Sequence, residues 1–295
     1  MSSIDRIWIA RCTPAENSGL SMQNQSNSNE YILGHAGDEL GRLERQAELF
    51  GDATEAIFSA AGISEGMRVL DVGCGAGDVA MLAGRLVGPS GTVLAIDRSE
   101  EALAVAARRA AAKGLGQIEF AKRDIADLAA DGERFDAVTG RFLLLHFADP
   151  TPILRGVASL LKPGGVVAFA EMDIRSTSAT PAFPLLERCV GWIVELYRRS
   201  GLEPDMGSKL YGAFKAAGLK PELKAACRIE TGLEGGGLAY LVGTLQTMKP
   251  ALIGLGVASA EELDIPSLTR QLADDMVAGD HCVVYPRLIG AWAKL

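Results

Sequence analysis

The 295-residue sequence predicts an α/β fold, a sheet covered by helices on both faces. Three observations carry this. Short apolar, partly β-branched runs alternate with helical patterns from Arg68 onwards. The first run, Arg68 to Val72, opens directly into the turn Gly73-Cys74-Gly75-Ala76-Gly77 and then a helical pattern, Asp78 to Val87. That is the strand, tight turn and helix of a nucleotide-type site. The run Val166 to Ala170 is apolar without a break, as expected for a strand buried on both faces.

Asp71 lies near the end of the first run. A carboxylate there repels a pyrophosphate and attracts a ligand with positive charge. The glycine spacing agrees. A dinucleotide site wants Gly-x-Gly-x-x-Gly, whereas these glycines fall at 73, 75 and 77, and Asp78 occupies the position of the third dinucleotide glycine. Glycine in such a turn lets the backbone bend sharply and approach a ligand closely. Cys74, inside the turn, reads as a small filler rather than a nucleophile.

Thr92 to Ile96 reads as the second strand and ends in Asp97, 20 residues after Gly77. An acid at that point can accept hydrogen bonds from both ribose hydroxyls of an adenosine. Ser99 is the better helix N-cap, with Glu100 and Glu101 favouring the helix dipole in the first turn, so Asp97 is expected to be free for a ligand. The next helix runs from Glu100 to Lys113 and stops at Gly114. Gln117 to Phe120 reads as the third strand, followed by Asp124-Ile125. Asp124 can take an adenine amino group and Ile125 can cover the ring; a solvated loop aspartate is the plain alternative. Phe135 to Thr139 reads as the fourth strand. Leu161-Lys162-Pro163-Gly164-Gly165 reads as a turn leading into the fifth.

Taken together, residues 67 to 173 resemble a class I S-adenosylmethionine-dependent methyltransferase. The matching pieces are VLDVGCGAG, the acid in AIDRS, the Asp-Ile pair in KRDIADL, FDAV, and LLKPGG before the fifth strand. The resemblance implies a Rossmann-like, doubly wound, seven-stranded and mostly parallel sheet with a helical cover over the active site. Its last strand would run antiparallel between the fifth and sixth. It implies S-adenosyl-L-methionine as cofactor, whose sulfonium and ammonium groups suit Asp71. Asp71, Gly73, Cys74, Gly75 and Gly77 would border the methionine end, Asp97 would hold the ribose, and Asp124 with Ile125 the adenine. Arg98 would lie beside the adenosine, and Arg141 would border the sulfonium-side channel. Tyr31-Ile32-Leu33-Gly34 with Arg42-Leu43-Glu44-Arg45-Gln46 resembles the lead-in of bacterial small-molecule members, whose N-terminal helix lies over the cofactor. Gln46 or Tyr31 would then reach the methionine end. Leu40, Leu43, Ala47 and Phe50 also make an ordinary amphipathic face.

The expected organisation is a flexible extension over 1–29, a helical lid over 30–66, the cofactor-binding core over 67–174, a helical substrate-cover insertion over 175–207, and the rest of the core sheet with a further helical insertion over 208–295. The tract Met22 to Asn29 is polar and aperiodic, and Met22 is an alternative start. In the insertion, Phe183 to Arg199 carries a broad apolar stripe that includes Leu186, Val190, Ile193 and Tyr197. Ser208 to Ala217 reads as a helix and Glu222 to Ile229 as the sixth strand. Helices over Leu238 to Leu255 and Glu261 to Ala278 follow. His281 to Tyr285 and Leu288 to Trp292 together read as the seventh strand, broken by a proline. The two late helices are read as substrate cover, with a homodimer contact as their other role.

The net charge of −8 argues against a nucleic-acid partner, which usually requires a basic surface. Thr139-Gly140-Arg141-Phe142 lacks the Asn or Asp followed by two prolines and an aromatic that DNA amino-methyltransferases show. The five cysteines form no Cys-x-x-Cys pair and there are three histidines, so no metal site is expected. No signal peptide or bilayer-length apolar run is present, which points to a cytoplasmic protein without a membrane partner. The expected reaction is methyl transfer to O, N or C of a small, partly apolar metabolite. A non-enzymatic S-adenosylmethionine-binding protein and a nicotinamide-dependent oxidoreductase are the rival readings. Where the acceptor must lose a proton, His146 in Leu143-Leu144-Leu145-His146-Phe147 is the first candidate base, since imidazole titrates near pH ~6.5. Glu171 and Asp173, at the end of the fifth strand, are alternatives that could also bind a cationic amine.

Overall fold

A computed structural model of the chain describes residues 36–295. The segment 1–29, the lead-in 31–34 and Tyr31 lie outside the described residues. The elements in order are α1 (Ala36–Ala60), β1 (Arg68–Val72), α2 (Asp78–Val87), β2 (Thr92–Asp97), α3 (Glu100–Ala112), β3 (Ile118–Lys122), α4 (Ile125–Ala130), β4 (Phe135–Arg141), α5 (Thr151–Ala158), β5 (Leu161–Asp173), β6 (Ser178–Thr180), α6 (Pro184–Arg199), α7 (Met206–Ala216), β7 (Glu222–Ala226), β8 (Ile229–Thr231), α8 (Gly237–Gly254), α9 (Ile265–Ala278), β9 (Cys282–Val284) and β10 (Arg287–Lys294).

The main sheet has seven strands in the order β3-β2-β1-β4-β5-β10-β7. The first five are parallel, and β10 lies antiparallel between β5 and β7. This is the predicted Rossmann-like topology. The central strands are apolar because both faces are covered: Val69, Leu70, Val138 and Val167 through Ala170 are fully buried. On one side α1 packs against α2 and β10; on the other, α5 packs against α4 and α7, and α7 against β5 and β10. The order reverses between β1 and β4, the point at which sheets of this kind bind ligands beyond the carboxyl ends of their strands. The glycine turn, Asp97 and Arg141 lie at the carboxyl ends of β1, β2 and β4 around it.

Four expectations change. The stretch expected as one sixth strand, Glu222 to Ile229, divides: β7 stays in the main sheet and β8 leaves it. The expected seventh strand also divides, at Tyr285-Pro286, into β9 and β10. Proline has no N–H for a ladder and fixes its φ, so the chain changes sheet there. β6, β9 and β8 then form a separate antiparallel sheet in that order. Finally, the turn Leu161 to Gly165 belongs to the strand ladder. Leu161 pairs with Phe135, Gly164 donates to the Leu295 carbonyl at 3.2 Å, and Leu295 donates to that of Gly165 at 3.0 Å. The last helix begins at Ile265 rather than Glu261.

Candidate active site

The glycine turn is built from three residues at positive φ, Gly73 (68°), Gly75 (50°) and Gly77 (84°). Their reasons differ. A Cβ on Gly73 would lie 2.8 Å from Leu143 Cδ1, and one on Gly77 would lie 2.9 Å from Ala106 Cβ, so both glycines permit close packing. A Cβ on Gly75 would meet nothing within 4 Å, so Gly75 faces open space. The amides of Gly73 and Cys74 both donate to the Ile96 carbonyl, at 2.9 and 3.0 Å, which ties the turn to β2. Cys74 is buried and its thiol is pushed well above the ordinary range by burial, consistent with a filler.

Ser99 is the N-cap of α3, accepting from the Ala102 N–H at 3.1 Å. Asp97 is nevertheless not free, contrary to expectation. One carboxylate oxygen accepts the Gly75 N–H at 2.9 Å and the other the Ser99 N–H at 2.9 Å. Each oxygen keeps acceptor capacity for a ligand hydroxyl, and the two bonds fix the carboxylate beside the turn. Arg98 is exposed next to it. Asp124 lies two residues past β3, whose Lys122 pairs with Asp97, and its N–H donates to Asp127 at 3.2 Å. Ile125 is buried at the start of α4.

Asp71 is buried, 1% exposed. One oxygen accepts from the Thr139 hydroxyl at 3.2 Å, and the other is buried without a hydrogen-bond partner. Burial pushes its pKa up to about 8, against the pull of Thr139 and Arg141. Arg141 ends β4 and is also buried; its Nη1 donates to Thr54 Oγ1 of α1 at 3.0 Å. Burial lowers its pKa, opposed by Asp78, Asp71, Tyr240 and Glu171. Phe142 follows at φ 55°, a left-handed conformation that strains a non-glycine residue. Its ring packs edge-on against Phe50 at 5.4 Å, and Phe50 against Tyr240 at 5.7 Å.

Glu171 is fully buried. Its Oε1 accepts the Leu143 and Leu144 amides at 2.9 and 2.8 Å, and its Oε2 has no hydrogen-bond partner. Burial pushes its pKa up to about 8. Glu171 therefore holds the loop whose Leu143 side chain presses on Gly73. Asp173 accepts the Ser208 N–H at 2.7 Å and lies 3.5 Å from Arg287 Nη2. His146 is exposed on the short 3₁₀ turn Leu144–His146. Desolvation by the protein beneath it draws its imidazole below the ordinary histidine range, and the Phe142 carbonyl acts in the opposite sense.

Beyond Met172 and Ile174 lies an apolar cavity of about 40 Å³. Leu186, Val190, Ile193 and Tyr197 of α6 form one wall; Tyr240, Leu241 and Thr244 of α8 form another; Thr177, Tyr285 and Pro286 close it. His146 and Glu171 do not line it. The stripe on α6 was visible in the sequence. The late helices were read as substrate cover, but which α8 residues face the cavity, and that Tyr285 closes it, was not visible, because nothing local shows which helix face turns inward. Thr54 and Thr139 carried no signal either, since a hydroxyl in a helix or strand is ordinary until its neighbour is known. Gln46 is half-buried on α1. Among the described residues no group of three His, Cys, Asp or Glu is placed to hold a metal ion, and no helix is long and apolar enough to cross a membrane.

A sheet in this order, with an acid and a glycine turn at the tip of β1 and a second acid at the tip of β2, defines the class I S-adenosylmethionine-dependent methyltransferases. The chain belongs to the Methyltransferase domain family, whose profile matches residues 63–217. It is 34% identical over 159 residues to a ubiquinone biosynthesis O-methyltransferase of Dinoroseobacter shibae, covering 53% of this chain and 61% of that one. It is 34% identical over 137 residues to the chloroplastic 2-phytyl-1,4-beta-naphthoquinone methyltransferase of Arabidopsis thaliana, covering 45% of this chain and 50% of that one. The matched stretch thus spans about three-fifths or less of these relatives. A Bacillus halodurans C-125 protein, provisionally assigned as a methyltransferase, superposes with a TM-score of 0.52 at 20% identity, over 81% of this chain and 96% of its own. A cyclopropane-fatty-acyl-phospholipid synthase-like protein of Lactobacillus casei gives 0.52 at 17%, over 88% and 95%. At such identities these two likenesses concern the fold alone.

Proposed function

We propose that the protein transfers a methyl group from S-adenosylmethionine to a small, partly apolar metabolite. The observation that carries this is the buried Asp71 carboxyl, one oxygen unpartnered, beside a glycine whose Cα faces open space. An orphaned buried acceptor costs stability unless a ligand satisfies it, and a cationic ligand satisfies it best. Asp71 would receive the methionine ammonium, Gly73 to Gly77 would cradle the methionine end, and Asp97 would accept the ribose hydroxyls. Asp124 and Ile125 would serve the adenine. Gln46 and Arg98 are proposed at the rim of the same site. The cofactor supplies a methyl group already activated by its sulfonium.

The chain's own contribution is then mainly orientation, which can supply much of the acceleration of such a displacement. The cavity behind Met172 takes the apolar body of the acceptor. At about 40 Å³ it has room for water rather than a ring, so α6 and α8 part on binding. The quinone-related names of both curated relatives support an apolar acceptor of this kind. Glu171 acts as a positioning residue of the loop after β4, and His146 is an exposed residue of that loop; neither acts as a base. Glu171 already accepts two amides, and His146 stands outside the cavity lining.

Calorimetry with S-adenosylhomocysteine and with NAD tests the cofactor: binding of NAD alone would refute the reading. Incubation with methyl-labelled cofactor and host metabolites tests the transfer. Cofactor binding without any labelled product would make this a binding protein instead.

A further inference from the structure

We propose that Arg109 is a positioning residue of the cofactor site: from α3 it fixes the exit of the glycine turn and neutralises Asp78, so that the turn is shaped for the methionine end before a ligand arrives. This rests on the methyltransferase reading and deepens it.

Two adjacent arginines lie near the end of α3. Arg108 is exposed, whereas Arg109 turns inward. Its Nη1 donates to the Ala76 carbonyl at 2.6 Å, and its Nη2 to Asp78 Oδ1 at 2.7 Å. The Arg109 side chain is 16% exposed and that of Asp78 11%, so the pair is largely withdrawn from water, where charge-assisted hydrogen bonds are strongest. The planar fork of a guanidinium can hold two separate acceptors at once, which the compact ammonium of a lysine does not reproduce. Arg109 stands in the last turn of α3 and Asp78 in the first turn of α2, where the helix dipoles favour a cation and an anion respectively.

The turn is held residue by residue. The Gly73 and Cys74 amides are tied to the Ile96 carbonyl, the Gly75 amide to Asp97, and Gly77 packs closely on Ala106. Arg109 holds the two that remain, Ala76 and Asp78. Ala106 precedes Arg109 by three positions on α3, so both act from one helix face. No capping side chain substitutes for them. α2 starts on Gly77, at φ 84°, without a side-chain hydrogen bond to its first turn.

The charge on Asp78 matters as much as its position. Asp71, Asp78 and Asp97 all border the turn, and a cationic ligand is drawn to each carboxylate. Asp71 and Asp97 keep acceptor capacity, whereas Asp78 is engaged by Arg109. Without that guanidinium, a poorly solvated carboxylate at the start of α2 would compete with Asp71 for an ammonium group.

Calorimetry on the full chain tests this with two ligands, S-adenosylhomocysteine and methylthioadenosine, which shares the adenosine but lacks the amino-acid end. Asp97 keeps its bond from Ser99 in every variant, so the ribose side is preserved. Arg109→Met is expected to weaken S-adenosylhomocysteine binding by about tenfold or more, the scale of a hydrogen bond to a charged group, and to leave methylthioadenosine binding nearly unchanged. Arg109→Lys restores a cation for Asp78 but not both bonds, and should recover part of the loss. Working well below the unfolding midpoint of each variant keeps stability out of the comparison. If Arg109→Met does not fold, Arg109→Lys is read by the same ratio. An equal loss for both ligands overturns the proposal. So does unchanged S-adenosylhomocysteine affinity, whatever the unfolding midpoint, since the pair would then serve stability alone. Where the unmodified protein binds S-adenosylhomocysteine but not methylthioadenosine, the affinity lies at the methionine end and the loss is read on S-adenosylhomocysteine alone. Failure of the unmodified protein to bind S-adenosylhomocysteine defeats the underlying reading instead.

Discussion

The Asp97 carboxylate accepts the backbone N–H of Gly75 at 2.9 Å, joining the tip of β2 to the glycine turn after β1. One residue thus shapes the turn and offers acceptors to a ribose. Asp97→Ala is expected to weaken S-adenosylhomocysteine binding by about 1.5–3 kcal/mol, the range for hydrogen bonds to a charged group. Asp97→Asn, which keeps an oxygen for Gly75 but loses the charge, should fall between the two. Isothermal calorimetry checks this, and equal affinity in all three proteins would remove Asp97 from the site.

Gly75 and Gly77 separate binding from packing. Gly75→Ala places its methyl in open space and costs stability only through the left-handed backbone, about 1–2 kcal/mol. It should reduce cofactor affinity out of proportion to that loss. Gly77→Ala drives a methyl against Ala106 and should lower the unfolding midpoint more. Parallel thermal melts and calorimetry distinguish the two, and the opposite ranking would mean that Gly75 does not face the ligand.

Asp71 has a pKa near 8 in the free protein. At pH 7 it is mostly protonated, and a cation beside it favours the ionised form. Cofactor binding at pH 7 is therefore expected to release up to one proton, and affinity should rise with pH until about pH 8. Calorimetry in buffers of different ionisation enthalpy measures the proton count. Asp71→Asn should abolish the release.

Glu171 gives a stability signature of the same origin. Its folded-state value, about 8, lies above that of an unfolded glutamate, so the folded protein binds its proton more tightly. The contribution is complete below the unfolded pKa and is lost as pH rises towards 8. Glu171→Gln keeps the acceptor for Leu143 and Leu144 without the ionisation. Denaturant melts from pH 5 to 8 should decline less steeply for this variant, by an amount on the order of 1 kcal/mol or more. Parallel slopes would show that the carboxyl is ionised throughout.

His146→Ala is expected to leave turnover close to normal, because the ring lies outside the cavity lining. Its pH–rate profile should keep its shape. A large fall in kcat with the acidic limb of the profile lost would restore it as the base.

Much of the fold is legible in the sequence because its signals are local. Val69 to Val72 and the glycines sit next to one another in sequence and in space, Asp97 marks the end of its own short apolar run, and Ser99 announces its helix by type and position. The late strands were harder. Glu222 to Ile229 contains no glycine or proline to mark a break, and only the partner strands decide that Ala226 and Ile229 belong to different sheets. Asp97 was read as free because its bond runs to a backbone amide 22 residues earlier, and backbone donors leave no mark on sequence. The reach of Arg141 to Thr54 spans 87 residues and was equally hidden.

The small β6-β9-β8 sheet takes one strand from each of three distant stretches of chain: after β5, after β7 and just before β10. Sharing a ladder, none of the three can swing outward alone. The ladder thus ties the segment after β5, which carries the cavity residue Thr177, to the chain just before Tyr285 and Pro286 on the cavity's other side. A substitution at Val283, buried and paired with both Ala179 and Glu230, would therefore loosen two cavity walls at once although it touches neither cofactor nor acceptor.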